Sequence, residues 1–442
     1  MIKSLLFSLF LLACSLCSGQ LRRPDSIARQ MRYAAREELL DIYYPRVVDT
    51  LYGGYLSSFD FAFQPQGNQE KMIVTQARHT WTTAKAYLFY HDSSYLALSR
   101  HGFAFLRDKM WDREFGGFYN LVTRQGVPVT TQKQAYGNAF GMYAAAAYFG
   151  CSGDSSALDL ARAVFLWLEK HSHDPVYKGY YQYLERDGTP VRRSPGTSSL
   201  LDIGYKDQNS SIHLLEALTE LYQVWPDPLV QSRLQEMLLL IRGTIITPMG
   251  TLQLFFTPDW KPVSFRDSSR ESVLLHHNLD HVSFGHDVET AYLMLEASEA
   301  LGIKGDTLTR SVGKKMVDHA LANGWDSLLG GFYDEGYYFK DKPGITITAK
   351  TKNWWAQAEG LNTLLLLSDA YPGDRMHYYD HFVKLWDYVQ TYLIDHQHGD
   401  WYEGGLDQDP SRKTSLKAHI WKAAYHNFRS LRNCILRLEA AK

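Results

Sequence analysis

The chain has 442 residues, a formal net charge of −2 and 17 His, with 45% hydrophobic, 21% charged and 14% aromatic residues. That is globular composition, and it excludes long disorder, collagen-like repeats and a disulfide scaffold. A pI near 6.8 leaves no basic footprint for neutralising phosphates, so nucleic acid is not an expected partner. A near-neutral chain rich in Tyr, Trp and His suits a handler of sugars better than a binder of polyanions.

Residues 1–20 read MIKSLLFSLFLLACSLCSGQ. Lys3 opens a short positive region, and Leu5 to Ala13 form an apolar one too short to span a bilayer. This is an export signal of bacterial type, excluded from the fold. Two cleavage patterns fit. Leu11-Leu12-Ala13-Cys14 resembles a lipobox, with a signal ending at residue 13 and a lipid on Cys14. Cys17-Ser18-Gly19 places small residues before Gln20, with a signal of residues 1–19. Either way the mature chain is expected outside the cytoplasm, periplasmic or lipid-anchored. No later segment is apolar enough to span a membrane. Cys151 and Cys434 remain in the mature chain. One bridge between them suits an oxidising compartment; the alternative, preferred here, is two buried free thiols.

From residue 25 to 442 no linker or charge run divides the chain, so one domain is expected. A glycine-aromatic punctuation recurs instead. Gly53-Gly54-Tyr55, Gly116-Gly117-Phe118-Tyr119, Lys178-Gly179-Tyr180-Tyr181 and Gly250-Thr251-Leu252-Gln253 come first. Gly330-Gly331-Phe332-Tyr333 and Gly399-Asp400-Trp401-Tyr402 follow. The spacing, roughly 60–80 residues, is a regular self-similarity. Asp112, Asp174, Asp326 and Asp395 stand shortly before these marks, as turn formers do.

Between the marks lie helical patterns. Tyr136 to Tyr148 reads as Ala-rich and amphipathic, and Ile212 to Tyr222, Val288 to Leu301 and Trp354 to Leu367 look similar. Leu158 to Lys170, Leu234 to Leu240 and Tyr378 to Ile394 supply partner helices. Six helical hairpins with short extended segments in the loops predict an all-α (α/α)6 barrel. The alternative is an unclosed array of the same hairpins; closure is preferred because no polar capping repeat is evident.

Four stretches carry candidate chemistry. Arg78 lies beside Trp81, where a guanidinium can hold oxygens while an indole stacks on a ring. Asn209 and His213 share a helix face at i,i+4, with Glu216 a turn further. The third stretch holds His276, His277, His281 and His286. His277 and His281 have the i,i+4 spacing of zinc helices, but the stretch is irregular and lacks the His-Glu-x-x-His pattern, so no metal ligands are assigned. His286 with Glu289, three apart at a helix start near Val288, is the better pair: a carboxylate can orient an imidazole and raise its pKa. Ser283 or Asp287 is the expected cap of that helix. The fourth stretch places His426 among Trp421, Tyr425 and Arg429, with Trp354, Trp355 and Glu359 as a further aromatic and acidic wall. Separated histidines around a stacking pocket suit proton abstraction next to a carbonyl. A glycosidase would instead need two flanking carboxylates, for which Asp287 and Asp207 are the candidates.

Together these stretches resemble the N-acylglucosamine 2-epimerase family, and within it the cellobiose 2-epimerase-like branch. The carrying motifs are Arg78-His79-Thr80-Trp81, Ala135-Tyr136-Gly137-Asn138, Asn209 to Glu216, Phe284-Gly285-His286-Asp287-Val288-Glu289, Trp354-Trp355-Ala356-Gln357-Ala358-Glu359 and Trp421-Lys422-Ala423-Ala424-Tyr425-His426. The resemblance implies an (α/α)6 barrel and cofactor-independent epimerisation at C2 of an aldose, on a mono- or disaccharide substrate. It implies that His286 and His426 are the acid–base pair acting through a cis-enediolate. His213 and Arg78 would stabilise the anion, and Glu289 would orient His286. Tyr136 and Asn209 would bind hydroxyls, Trp355 and Trp421 would stack on sugar rings beside Trp354, and Glu359 would bind a hydroxyl of a second sugar. Aldose–ketose isomerisation of mannose through the same enediolate stays open. A monomer or weak dimer is expected.

Overall fold

The computed structural model describes residues 24–440, so the expected export signal and Cys14 lie outside the described residues. Helices α1 (Pro24–Ala35), α2 (Ile73–Tyr90), α3 (Ser93–Phe105), α4 (Ala135–Ser152), α5 (Ser155–His171) and α6 (Gln208–Val224) form the first half. The second half is α7 (Pro228–Leu240), α8 (Phe284–Ala300), α9 (Thr307–Asn323), α10 (Trp354–Ala370), α11 (Tyr378–Tyr392) and α12 (Tyr425–Ala440). Helices α2, α4, α6, α8, α10 and α12 contact one another in that order, and α12 closes back on α2. The other five after α1 pack outside, each against the helix before it, while α1 packs on α12. The result is a closed (α/α)6 barrel. Its first and last helices make the sixth pair, held in part by the Arg32–Glu439 fork at 2.6 and 2.8 Å.

Burial explains which helices form the inner ring. A helix apolar all round must be covered all round. Every residue of α4 from Ala135 to Tyr148 is buried, so this helix is not amphipathic as its Ala-rich pattern suggested. Four outer helices, α3, α5, α7 and α9, keep a polar face and begin on capping aspartates: Asp92, Asp154, Asp227 and Asp306 each accept a backbone N–H of the first turn. No side chain caps α2, α4, α8 or α10. Two-residue strands lead into three of these helices: β1 (Lys71–Met72), β3 (Lys133–Gln134) and β7 (Val282–Ser283). β5 (Lys206–Asp207) does the same for α6. Each pairs antiparallel with a strand of the following repeat: β2 (Leu121–Val122), β4 (Tyr183–Leu184), β6 (Phe255–Phe256) or β8 (Glu335–Tyr337), the last extended by β9 (Thr346–Ala349). Neighbouring repeats are thereby sewn together at the end of the barrel where the inner helices begin.

A buried ion pair repeats with the fold. Lys71, Lys133, Lys206, Lys352 and Lys417 reach Asp49, Asp112, Asp174, Asp326 and Asp395 respectively, at 2.7–3.1 Å. Each ammonium also donates to a carbonyl of its glycine-aromatic loop. The aspartates are therefore more than turn formers. Burial alone would raise the Asp174 carboxyl, but Lys206 and the loop donors carry it down to about 2. In the fourth repeat both partners change: Thr247 stands in the aspartate position of the turn, and Val282 in the lysine position of the strand. Changing both avoids an unpaired buried charge. Lys206→Met should lower stability by about 3–5 kcal/mol, the cost of breaking a buried pair. Asp174→Thr with Lys206→Val, which copies the fourth repeat, should recover most of it; thermal and urea unfolding of the three proteins checks this.

Cys151 and Cys434 are free thiols, the first half-buried and the second buried, so no bridge joins them. Among the described residues no helix is long and apolar enough to cross a membrane.

Candidate active site

At the end of the barrel where the inner helices begin, Arg78, Tyr136, Asn209, His213, His286, Glu289, Trp354, Trp355, Trp421 and His426 line one cavity of about 200 Å³. The helix geometry accounts for this set. Tyr136, Asn209, His286, Trp355 and His426 are second or third residues of α4, α6, α8, α10 and α12, and line the mouth. Arg78, His213 and Glu289 sit about one turn deeper on α2, α6 and α8, at the floor. All six inner helices thus turn their positive dipole ends toward the cavity, which favours negative charge there.

Beneath the floor lies a buried charge network. Arg429 of α12 donates through Nη2 to Glu289 Oε1 and Glu359 Oε1, each at 2.6 Å, and through Nη1 to Glu216 Oε1. Tyr425 also donates its hydroxyl to Glu216, and accepts from Arg429 at 2.6 Å. Two of these carboxylates hold histidines. Glu216 Oε2 lies 2.7 Å from His213 Nδ1, and Glu359 Oε1 lies 2.7 Å from His426 Nδ1. A carboxylate at Nδ1 keeps the proton on that nitrogen and leaves Nε2 with its lone pair. Burial would raise the Glu216 carboxyl, but Arg429 and His213 bring it down to about 2. Burial and then the Arg78 charge hold His426 well below the ordinary histidine range.

His286 is held differently. Its Nδ1 meets Ser283 Oγ at 2.8 Å. Glu289 does not orient it, as its sequence position suggested, because Arg429 takes that carboxylate. Nor is its pKa raised: burial, then His213 and His281, push it down to about 3. Glu359 likewise is not placed to bind a second sugar. It is fully buried beneath the cavity, between Arg429 and His426. Trp355 lies between the two histidines of the proposed acid–base pair, 4.7 Å from the His286 ring and 6.0 Å from the His426 ring by centroids. Gly285 makes this possible: a Cβ there would stand 2.6 Å from Ala356 and 2.8 Å from the Trp355 ring.

Arg78 lies inside the barrel mouth. It is buried, and donates to Tyr136 Oη at 3.3 Å and to the Trp421 carbonyl at 2.8 Å. Trp421 precedes α12 on a loop and is 47% exposed, forming the outer wall. α8 begins at Phe284, earlier than Val288, and Ser283 turns its hydroxyl to His286 rather than capping. Asp287 holds the Leu252 N–H at 2.9 Å, and burial keeps its carboxyl well above the ordinary range. Asp207 caps α6 through Ser210 N at 2.6 Å. Neither lines the cavity, so they do not form a glycosidase pair. Glu289, Glu359 and His426 bring ligand atoms within 4.8 Å of one another. Arg429 already bridges both carboxylates, which disqualifies them as a metal site. A larger cavity of about 670 Å³ opens at the far ends of α8 and α10, but no histidine lines it.

The model of the N-acylglucosamine 2-epimerase (GlcNAc 2-epimerase) family matches residues 54–430. The chain belongs to this family. It is 29% identical over 415 residues to a cellobiose 2-epimerase of Bacteroides fragilis, covering 92% of this chain and 98% of that one. It is 24% identical over 394 residues to a D-mannose isomerase of Marinomonas mediterranea, covering 88% and 92%. Among solved structures, a cellobiose 2-epimerase of Spirochaeta thermophila superposes with a TM-score of 0.79 at 27% identity, covering 95% of this chain and 98% of that one. The chain is a carbohydrate isomerase of the epimerase type.

Arg429 is the site residue that sequence reasoning left unassigned. Its i,i+3 spacing from His426 placed it on the same helix face, but nothing local pointed to three glutamates on other helices.

Proposed function

We propose that the cavity epimerises an aldose at C2, interconverting glucose and mannose configuration at a reducing end, by proton transfer between His426 and His286. The observation that carries this is the pair of imidazoles on either side of Trp355, each fixed at Nδ1 so that Nε2 is left for the substrate. Neutral His426 takes the C2 proton of the open-chain sugar, and the Glu359 carboxylate stabilises the imidazolium that forms. The electron pair of the broken C–H bond moves into a cis-enediolate. Arg78, His213 and the converging helix ends stabilise the anion, as preorganised donors do. His286, neutral in the free site, takes a proton from solvent once the enediolate beside it offsets the cost of charging a buried imidazole, and passes it to C2 on the opposite face. His426 then returns its proton to solvent. Tyr136 and Asn209 bind hydroxyls, and Trp354, Trp355 and Trp421 pack on the sugar. The same enediolate protonated at C1 would give a ketose, so mannose isomerisation is the second reading. The D-mannose isomerase relative supports keeping it. We place the enzyme outside the cytoplasm, exported by residues 1–19 or lipid-anchored at Cys14, and acting as a monomer or weak dimer.

Mature protein incubated in deuterated water with cellobiose, mannobiose, glucose or mannose should yield C2 epimers carrying deuterium at C2, with no bond cleaved. Ketose as the main product moves the assignment to the second reading. Release of monosaccharide from cellobiose refutes both.

A further inference from the structure

The loop before α8 carries histidines that the cavity does not use. Residues 270–275 form a short helix, and 277–279 a 3-10 turn. From this turn and its end, His277 and His281 stack their imidazoles at 5.0 Å with 4° between planes. Both face Glu335 on β8. His277 Nδ1 is 3.4 Å from Glu335 Oε2, and His281 Nε2 is 3.7 Å from Oε1. These separations exceed the span of an N–H···O bond, about 2.7–3.2 Å. They are the separations of donors that share one ion at ~2.0–2.2 Å each.

The outward ring nitrogens have supporting partners. His281 Nδ1 lies 2.8 Å from the His277 carbonyl oxygen, a bond it makes only as a donor. Its Nε2 therefore presents a lone pair to Glu335. His277 Nε2 lies 3.0 Å from Thr348 Oγ1 on β9, leaving Nδ1 on the Glu335 side. Metal-binding histidines are held in this way, with the second nitrogen fixed by a carbonyl or another polar partner. All three residues are partly exposed, which leaves room for water as a further ligand.

We propose that His277 Nδ1, His281 Nε2 and the Glu335 carboxylate bind one divalent transition-metal ion of the zinc class. Two imidazoles and one carboxylate suit zinc, nickel, copper or ferrous iron, whereas magnesium and calcium prefer oxygen donors throughout. The i,i+4 histidines were legible in the sequence, but the third ligand comes from the next repeat, so the local pattern alone looked incomplete. The place of the site suggests its use. β7 pairs with β8 so that Ser283 stands opposite Glu335, and Ser283 holds His286. An ion here ties the loop before β7 to β8 and stiffens the strand pair behind that hydrogen bond. None of the three ligands belongs to the reaction proposed above, so the site stands whatever the substrate proves to be.

Chelator-treated protein titrated with Co2+ and followed by visible absorption, then with Zn2+ by calorimetry, tests this. One equivalent of Co2+ should bind with the intense bands of a four- or five-coordinate centre, and Zn2+ should displace it. Saturating Zn2+ should raise the unfolding temperature, and Mg2+ at the same concentration should not. His281→Ala and Glu335→Gln should each lose the bound equivalent while keeping the helical circular dichroism of the parent. Thr348→Val keeps all three ligands and should weaken binding about 10-fold, the scale of a lost supporting partner. Absence of binding to the parent protein overturns the proposal. So does a bound equivalent that survives in either ligand variant, or equal binding of Mg2+. If a ligand variant fails to fold, His277→Ala decides by the same loss of the bound equivalent, and Thr348→Val by its weaker binding, with unchanged affinity counting against the proposal.

Discussion

His426→Ala should lower the rate of C2 epimerisation at least ~100-fold, the lower range for a removed general acid–base group, and His286→Ala should do the same. The informative readout is the exchange of each epimer separately. Each histidine serves one face of C2. In His286→Ala the base on the other face remains, so the epimer whose C2 proton faces His426 should still exchange with deuterated water while giving no product. The other epimer should be inert. In His426→Ala the pattern should reverse. Deuterium exchange lost equally from both epimers in both variants would show that the histidines do not divide the faces, and near-normal turnover in either variant would remove it from the reaction. The pH profile adds an independent check. His426 must be neutral to act as a base, and burial with the Arg78 charge lowers its pKa. A lowered pKa keeps the neutral form at lower pH. Activity as kcat/KM should therefore persist as pH falls through 6.5 and decline only further into the acid range.

Arg429→Met should be the most destabilising single change on the barrel axis. The guanidinium is buried and serves three glutamates at once. Removing it strands charge that no other cation within the network neutralises, and breaking one buried pair alone costs about 3–5 kcal/mol. Arg429→Lys should recover only part, because an ammonium cannot offer the planar fork that reaches Glu216 on one side and Glu289 with Glu359 on the other. The effect should depend on pH in a direction that can be worked out. In the parent, Glu216 is held at about 2 against an ordinary 4.5. It contributes stability above pH 4.5 that is lost as pH falls toward 2. The variant lacks that contribution, so the gap in unfolding temperature between variant and parent should be widest near neutrality and narrow as pH falls below 4.5. A gap independent of pH would show that packing, not charge, is what Arg429 supplies.

Much of the cavity lining was legible because side chains that converge on one end of the barrel stand near the starts of the inner helices. Arg78 beside Trp81, Asn209 with His213, His286 with Glu289, and His426 among aromatic and cationic neighbours each stood out in the sequence, and all line the cavity. The partners of these residues were not legible. His286 and Glu289 are three apart, yet they do not pair, because Arg429 competes for the carboxylate and Ser283 is nearer the imidazole. Glu359 looked like part of a sugar-binding wall, yet its helix turns it under the cavity to His426. The lysines of the buried clamps carry no local signal for a related reason: the aspartates that Lys71, Lys133 and Lys206 meet lie in the preceding turn, 22, 21 and 32 residues earlier in the chain.

By itself the sequence determined the architecture and most of the side chains that line the cavity. Six glycine-marked turns, five of them with an aromatic residue, and the apolar helices between them leave few ways to bury the apolar surface other than a double ring of helices. The motifs placed along that ring bring their polar residues to one end. What only the tertiary structure decided is which group each of these residues touches. Spacing along a helix specifies a face, but not the neighbour across the barrel that fills it. In a closed ring those neighbours come from other repeats, near or far in the chain: α1 meets α12 and Glu216 meets Arg429 across the chain, while Glu335 of the next repeat meets His277 and His281.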